Sequence, residues 1–198
     1  MTLLDKIIEQ TAAQSLLEII AVLSAIAYLV FVIHEKIICW FFAAISTAIY
    51  VWLFIDAKLY MGSVLNVFYL LMAAYGFALW RSGGGGRPVV VWPLRMHLIA
   101  IVVICAVATI NGYLLGFYSD AAFPYIDSLT TWFAIWATFL VARKVLENWW
   151  YWLVIDVVSV FIYSSRDLQL TSALFVIYII MIPCGLIAWT RTFRRQAA

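Results

Sequence analysis

Residues 74–80 read AYGFALW and residues 183–189 read PCGLIAW, and both heptapeptides place a tryptophan four residues after a glycine. They lie 109 residues apart, and the same offset relates Trp40 to Trp149, Ser63 to Ser172 and Tyr69 to Tyr178. Leu59 and Leu168 obey it, as do Leu65 and Leu174, but leucines coincide often in apolar sequence. The Trp, Tyr and Gly pairs carry the weight. The register holds without a gap from residue 40 to residue 80, so the chain is read as two copies of one unit.

What solvent the copies face follows from composition. Of 198 residues, 67% are hydrophobic and 11% are charged, and the mean hydropathy is +1.06. Soluble domains carry about 25% charged residues, so this chain lacks the polar surface to face water all round. Long apolar runs and four prolines predict an all-α integral membrane protein rather than a barrel of alternating strands. At about 20 residues per crossing, seven spans are expected, near 16–33, 38–54, 62–80, 96–117, 129–141, 149–163 and 171–189. The expected organisation is an amphipathic lead over 1–15, a first three-helix repeat over 16–80, and a connector with a linking helix over 81–128. A second repeat over 129–189 and a basic tail over 190–198 complete it. The lead lacks the basic start and small-residue cleavage site of a signal peptide.

A lone span between two triplets makes the triplets enter the membrane in the same sense, a 3+1+3 parallel repeat. That relation is the one seen in SWEET proteins, where solute binds between repeats near the midplane. A solute transporter is therefore the leading class. Seven spans put Lys6, Lys58 and Arg166 on one face and the other nine basic residues, among them Lys36, Arg81, Arg143, Lys144 and Arg194, on the opposite face. The richer face is expected to be cytoplasmic, with the N-terminus outside and the C-terminus inside. Basic residues used this way orient the chain; they do not point to nucleic acid.

Polar groups inside the spans are the candidates for chemistry. ENWWYWLVIDVVSVFIY, residues 147–163, carries a carboxylate, Asp156, about 10 Å past Trp149 at 1.5 Å per residue. A charge at that depth costs about 2.5–3.5 kcal/mol on insertion scales. Trp149, Trp152, Asp156 and Tyr163 recur at helical spacing and share a face. Rings and one acid suit a flat, cationic, aromatic solute. Against this, Trp149 and Trp150 also fit an interfacial aromatic belt, and Asp156 also fits an acid bonded to a neighbouring helix. Asn66 and Tyr69 form a second polar face on span three, where Asn66 serves equally as helix glue. Thr47 holds the repeat position of Asp156, and Trp132 and Trp136, one turn apart, are read as walls. Thr109 and Asn111 are read as packing contacts, and His34 and His97 as rim residues. Cys39, Cys105 and Cys184 are odd in number without metal-ligand spacing, and no cofactor or metal is expected. RSGGGGR, residues 81–87, lacks the Lys-Ser or Lys-Thr of a phosphate loop and is read as a flexible connector.

KLYMGSVLNVFYLLMAAYGFALW (58–80) and ARKVLENWWYWLVIDVVSVFIY (142–163) resemble the PnuC family of bacterial vitamin transporters, and the likeness extends from about residue 17 to residue 189. The resemblance implies a seven-helix, SWEET-like fold in a bacterial inner membrane. It implies facilitated diffusion of a vitamin precursor that phosphorylation then traps inside, and a homotrimer by analogy. Family substrates include nicotinamide riboside, thiamine and riboflavin. Members that carry nicotinamide riboside commonly read YGWYQW where this chain has YGFALW, which adds Phe77 to the candidate site. They often carry Gln where Asn66 stands and Asn where Asp156 stands. Those departures leave thiamine and nicotinamide riboside level. A proton-coupled symporter using Asp156 is the alternative, and no nucleophile–base or metal pattern supports an enzyme.

Overall fold

The computed structural model describes residues 16–56, 60–82, 87–118, 123–165 and 169–196. Seven helices follow in order: α1 (Leu16–Ile33), α2 (Cys39–Asp56), α3 (Tyr60–Arg81), α4 (Leu94–Tyr118), α5 (Pro124–Ala142), α6 (Asn148–Ser165) and α7 (Gln169–Gln196). Among the described residues there is no strand, only an isolated parallel bridge between Val90 and Val145. Among the described residues, four segments are long and apolar enough to cross a membrane: Ser63–Arg81, Leu94–Tyr118, Pro124–Ala142 and Ser172–Gln196. Shorter apolar helices, Ile19–Ile33, Cys39–Leu53 and Asn148–Ile162, pack among them. The expected lead over 1–15 lies outside the described residues.

Two helices run past the ends that hydropathy sets. Helix α5 starts at Pro124, ahead of the expected 129, because proline suits the first helical position. The polar residues that follow are absorbed locally: Thr130 Oγ1 donates to the Ile126 carbonyl at 2.9 Å. Helix α7 runs on to Gln196, so the expected basic tail is helical through Arg195. The connector also departs from its reading. Gly83–Gly86 lie outside the described residues, but the segment after them is docked. Val90 N–H donates to the Lys144 carbonyl at 3.0 Å and Leu146 N–H to the Val90 carbonyl at 2.8 Å.

The offset of 109 reappears in the geometry. Shifted by 109, the bounds of α2 become those of α6, and α3 and α7 begin in register. Ser63 Oγ donates to the Val51 carbonyl at 3.1 Å, and Ser172 Oγ to the Val160 carbonyl at 3.3 Å. Helices α1 and α5 both end in a Schellman turn. Glu35 N–H bonds Val32 O and Lys36 N–H bonds Phe31 O; Lys144 N–H bonds Val141 O and Val145 N–H bonds Leu140 O, all at 2.9 Å. The left-handed residue in each turn is not glycine: Glu35 has φ 56° and Lys144 φ 54°. Such a conformation costs about 1–2 kcal/mol for an L-residue.

The core explains the tryptophan–glycine signal. A Cβ built at Gly76 would come within 3.0 Å of the Trp40 ring, and one at Gly185 equally close to Trp149. Each glycine is therefore the floor on which an indole lies. Trp40 meets Trp80 edge-on at 5.5 Å and 86°, and Trp149 meets Trp189 at the same distance and angle. Trp80 and Trp189 lie 6.5 Å apart. Their N–H groups cross between the halves: Trp80 Nε1 donates to Ala142 O and Trp189 Nε1 to Val32 O, both at 3.0 Å. Helices α1 against α7 and α3 against α5 make the remaining contact between halves.

Candidate functional site

Next to this indole cluster lies a cavity of about 100 Å³. Helix α1 lines it with Ala25, Tyr28, Leu29 and Val32, helix α7 with Tyr178 and Ile182, and helix α6 with Asn148, Trp149, Trp152 and Asp156; Val141 closes the end beside Val32. Because α6 advances 1.5 Å per residue, Asn148 and Trp149 stand at the tryptophan end, and Asp156 stands two turns deeper. Apolar walls with a few convergent polar groups have the character of a small-solute site, and at about 100 Å³ the cavity must widen to admit a vitamin-sized solute, since ligand pockets run to roughly 300–1,000 Å³.

Polar atoms in the wall lack partners. Asp156 is 2% exposed, and its Oδ1 makes no hydrogen bond among the described residues. Asn148 is fully buried; its Nδ2 donates to the Val145 carbonyl at 2.7 Å, while its Oδ1 is unpaired. The Trp149 Nε1–H is buried and unpaired as well. A buried polar atom without a partner costs about 1–3 kcal/mol, and three on one helix around one cavity call for an explanation. Two acceptors and one donor fit a solute with N–H or O–H groups at both ends. Tyr178 adds a phenol within electrostatic range of Asp156 and Tyr50.

The sequence-derived candidates divide. Asp156, Trp152 and Trp149 come together in the cavity wall, and Trp152 bridges to the second core cluster of Ala134, Ala137 and Ile155. Tyr69 packs on that same cluster and lies within electrostatic range of Tyr28, behind the wall rather than in it. Asn66 is buried on α3 and Trp132 half-buried on α5, both away from the cavity lining. Thr47 donates to the Ala43 carbonyl of its own helix at 2.8 Å. Trp136 stacks on Phe139 at 5.7 Å and meets Trp92 at 5.9 Å, a wall of the connector rather than of the cavity. Phe77 is 40% exposed on the outer surface of α3, because Gly76 beside it is the residue that turns inward to Trp40.

His97 is no rim residue: it is buried, its Nδ1 lies 3.0 Å from the Tyr151 hydroxyl, and its Nε2 lies 3.9 Å from Glu147 Oε2. Thr109 is exposed and bonds back to Cys105, whereas Asn111 does pack, accepting from Ser128 Oγ at 3.2 Å. Asn148 was missed in sequence, although it stands one turn before Trp152 and two before Asp156 on the same ridge. Tyr178 had a signal in its offset pairing with Tyr69. Among the described residues, no three His, Cys, Asp or Glu side chains group as metal ligands.

Residues 15–191 match the family model described as nicotinamide mononucleotide transporter. The nicotinamide riboside transporter PnuC of Escherichia coli is 25% identical over 192 residues, covering 83% of this chain and 80% of that protein. PnuC of Neisseria mucosa is 25% identical over 192 residues, covering 90% of this chain and 73% of the relative. The crystal structure of a vitamin B3 transporter, PnuC, superposes with a TM-score of 0.74 at 22% identity, covering 98% of this chain and 90% of that one. At that identity the superposition speaks for the fold.

Proposed function

The chain belongs to the nicotinamide mononucleotide transporter family, and from that premise we propose that it carries a cationic vitamin or vitamin precursor through the cavity beside α6. Nicotinamide riboside and thiamine are the two solutes of that description. The names of the relatives favour the first; Asp156, where nicotinamide riboside carriers often have Asn, favours the second. One observation carries the reading: a buried carboxylate with an unpaired oxygen stands two helical turns from an indole N–H and an amide oxygen that are also unpaired. An acid held this way is expensive unless a cation completes it. Ring faces from Tyr28, Trp149 and Trp152 add attraction for a flat cation.

Transport in this reading is facilitated diffusion, with phosphorylation inside the cell as the trap. Two like-oriented units, α1–α3 and α5–α7, flank α4 and close around the solute, as their shared offset supports. The N-terminus lies outside and the C-terminus inside a bacterial inner membrane, on the three-to-nine division of basic residues. Assembly into a homotrimer follows the family analogy. The test is calorimetric binding of nicotinamide riboside, thiamine and riboflavin to purified protein, followed by uptake into liposomes. Asp156→Ala lowers affinity for the preferred cation about tenfold or more, the worth of one charge-assisted contact; unchanged affinity removes Asp156 from the site. The same acid favours a second reading, proton-coupled symport, which requires uptake to follow an imposed pH gradient.

A further inference from the structure

The shortest ion pair among the described residues lies outside the cavity wall, at its tryptophan end. Lys144 Nζ meets Glu35 Oε2 at 2.7 Å, with the side chains only 5% and 16% exposed. Each residue occupies the left-handed position of the turn that ends α1 or α5, where glycine would serve without strain. The charged side chains are thus kept at a backbone cost, and what they gain is each other across the two halves. Lys144 Nζ also stands 4.6 Å over the Trp80 ring, whose N–H is bonded to the opposite half. Val32 and Val141, three residues before the two turns, are the cavity wall at this end, and the Val32 carbonyl takes the Trp189 N–H.

We propose that the Glu35–Lys144 pair, with the two crossed indole bonds, is the closure that seals the cavity toward the face rich in basic residues and parts to release solute there. The proposal rests on the transport reading for its purpose, but the closure itself is testable without transport. An ion pair suits the task physically. Its attraction and the hydration its members regain on separation nearly cancel, so closed and open states stay close in energy. Neutralising one member leaves the other charge buried and uncompensated, and the molecule relieves it by opening that end to water.

Cys39 is a built-in reporter. It is fully buried at the start of α2, in electrostatic range of Lys144, while Cys105 and Cys184 are exposed on the outer surface. With those two replaced by alanine, inside-out vesicles are treated with a membrane-impermeant maleimide and the rate of Cys39 modification is read. Glu35→Gln and Lys144→Gln each raise the rate about tenfold or more. The combined Glu35→Lys and Lys144→Glu exchange returns it toward the parent rate, since the offset places Trp189 to receive a lysine at 35 as Trp80 receives Lys144. Near-ultraviolet circular dichroism of the indoles separates opening from unfolding. Unchanged rates in both single variants overturn the proposal. So does an exchange that restores neither slow modification nor the indole signal where a single variant has lost it. Liposome uptake, measured separately, reports on the transport reading: a parent that binds no solute and moves none sinks that reading while the Cys39 rates still decide the closure.

Discussion

Replacing Gly185 with alanine separates the frame of this protein from its site. The new Cβ comes within 3.0 Å of three atoms of the Trp149 ring, against the 3.5–4.0 Å of an ordinary carbon contact. The ring must retreat by about 1 Å, and it has little room. Trp189 stands edge-on at 5.5 Å behind it and is itself tethered to the Val32 carbonyl. Overpacking of this kind costs about 1–3 kcal/mol, and a rigid bicyclic ring belongs at the upper end. Alanine returns about 1 kcal/mol of helix propensity, so the net loss is about 2 kcal/mol. For a chain of this length that lowers the melting temperature by about 4–8 °C.

Gly76→Ala meets the Trp40 ring in the same way and loses the same stability. The two variants part at binding. Trp149 lines the cavity and Trp40 does not, so Gly185→Ala weakens solute affinity about tenfold, roughly 1.4 kcal/mol, while Gly76→Ala leaves it within about twofold. Gly116→Ala is the control: its Cβ meets Pro124 at 3.4 Å, an ordinary contact, and costs nothing. Thermal unfolding in detergent paired with calorimetry reads all three. Equal affinity losses in Gly76→Ala and Gly185→Ala would show that the indole floor acts only through general stability, and the assignment of Trp149 to the site would fall.

Asp156→Leu raises the melting temperature while lowering affinity, because an unpaired buried carboxylate is replaced by a side chain the apolar wall accepts; a fall in melting temperature would mean that the acid bonds a neighbouring helix instead. Trp189→Phe strands the buried Val32 carbonyl and costs about 1–3 kcal/mol, with Trp80→Phe costing the same through Ala142; denaturation in mixed micelles reads both, and no loss in either refutes the crossed bonds. Phe77→Trp, on the outer surface, leaves affinity within about twofold, and a tenfold change would return position 77 to the site.

Seven helices were legible because a bilayer demands long apolar segments, and the offset was legible because Gly–Trp contacts cannot be imitated by other residues. What stayed hidden has physical causes. The turns at Glu35 and Lys144 use charged residues at positions that normally announce themselves as glycine, so nothing local marked them. The partner that fixes their role lies 109 residues away. His97 looked like a rim residue because histidine at a helix start usually is one; Tyr151, which buries it, comes from another helix. Phe77 was placed by likeness to a motif, whereas its direction is dictated by Gly76 packing inward. Asn148 was overlooked beside two tryptophans, although its ridge with Trp152 and Asp156 was readable from spacing.

The frame is repeated more closely than the cavity lining is. At the offset of 109, the frame residues persist: Trp40 and Trp149, Gly76 and Gly185, Trp80 and Trp189, Ser63 and Ser172. Of the cavity residues, Val141, Trp149 and Tyr178 keep their type at the offset, as Val32, Trp40 and Tyr69, whereas Asp156 is matched by Thr47, Trp152 by Ala43, Asn148 by Cys39 and Ile182 by Ala73. Thr47 satisfies its hydroxyl on its own helix, whereas Asp156 leaves an oxygen unpaired. Folding alone gives no reason for this inequality, since either half could have closed its inner face with Thr, Ala and Cys at lower cost. Unpaired buried polar atoms raise the energy of the empty protein, and although Trp40 Nε1 is as unpaired as Trp149 Nε1, the unpaired carboxylate and amide oxygens among the described residues, those of Asp156 and Asn148, both stand in the second half. In the proposed transport reading, the unpaired Asp156 and Asn148 oxygens on α6 give a bound solute one orientation, which the affinity loss of Asp156→Leu checks.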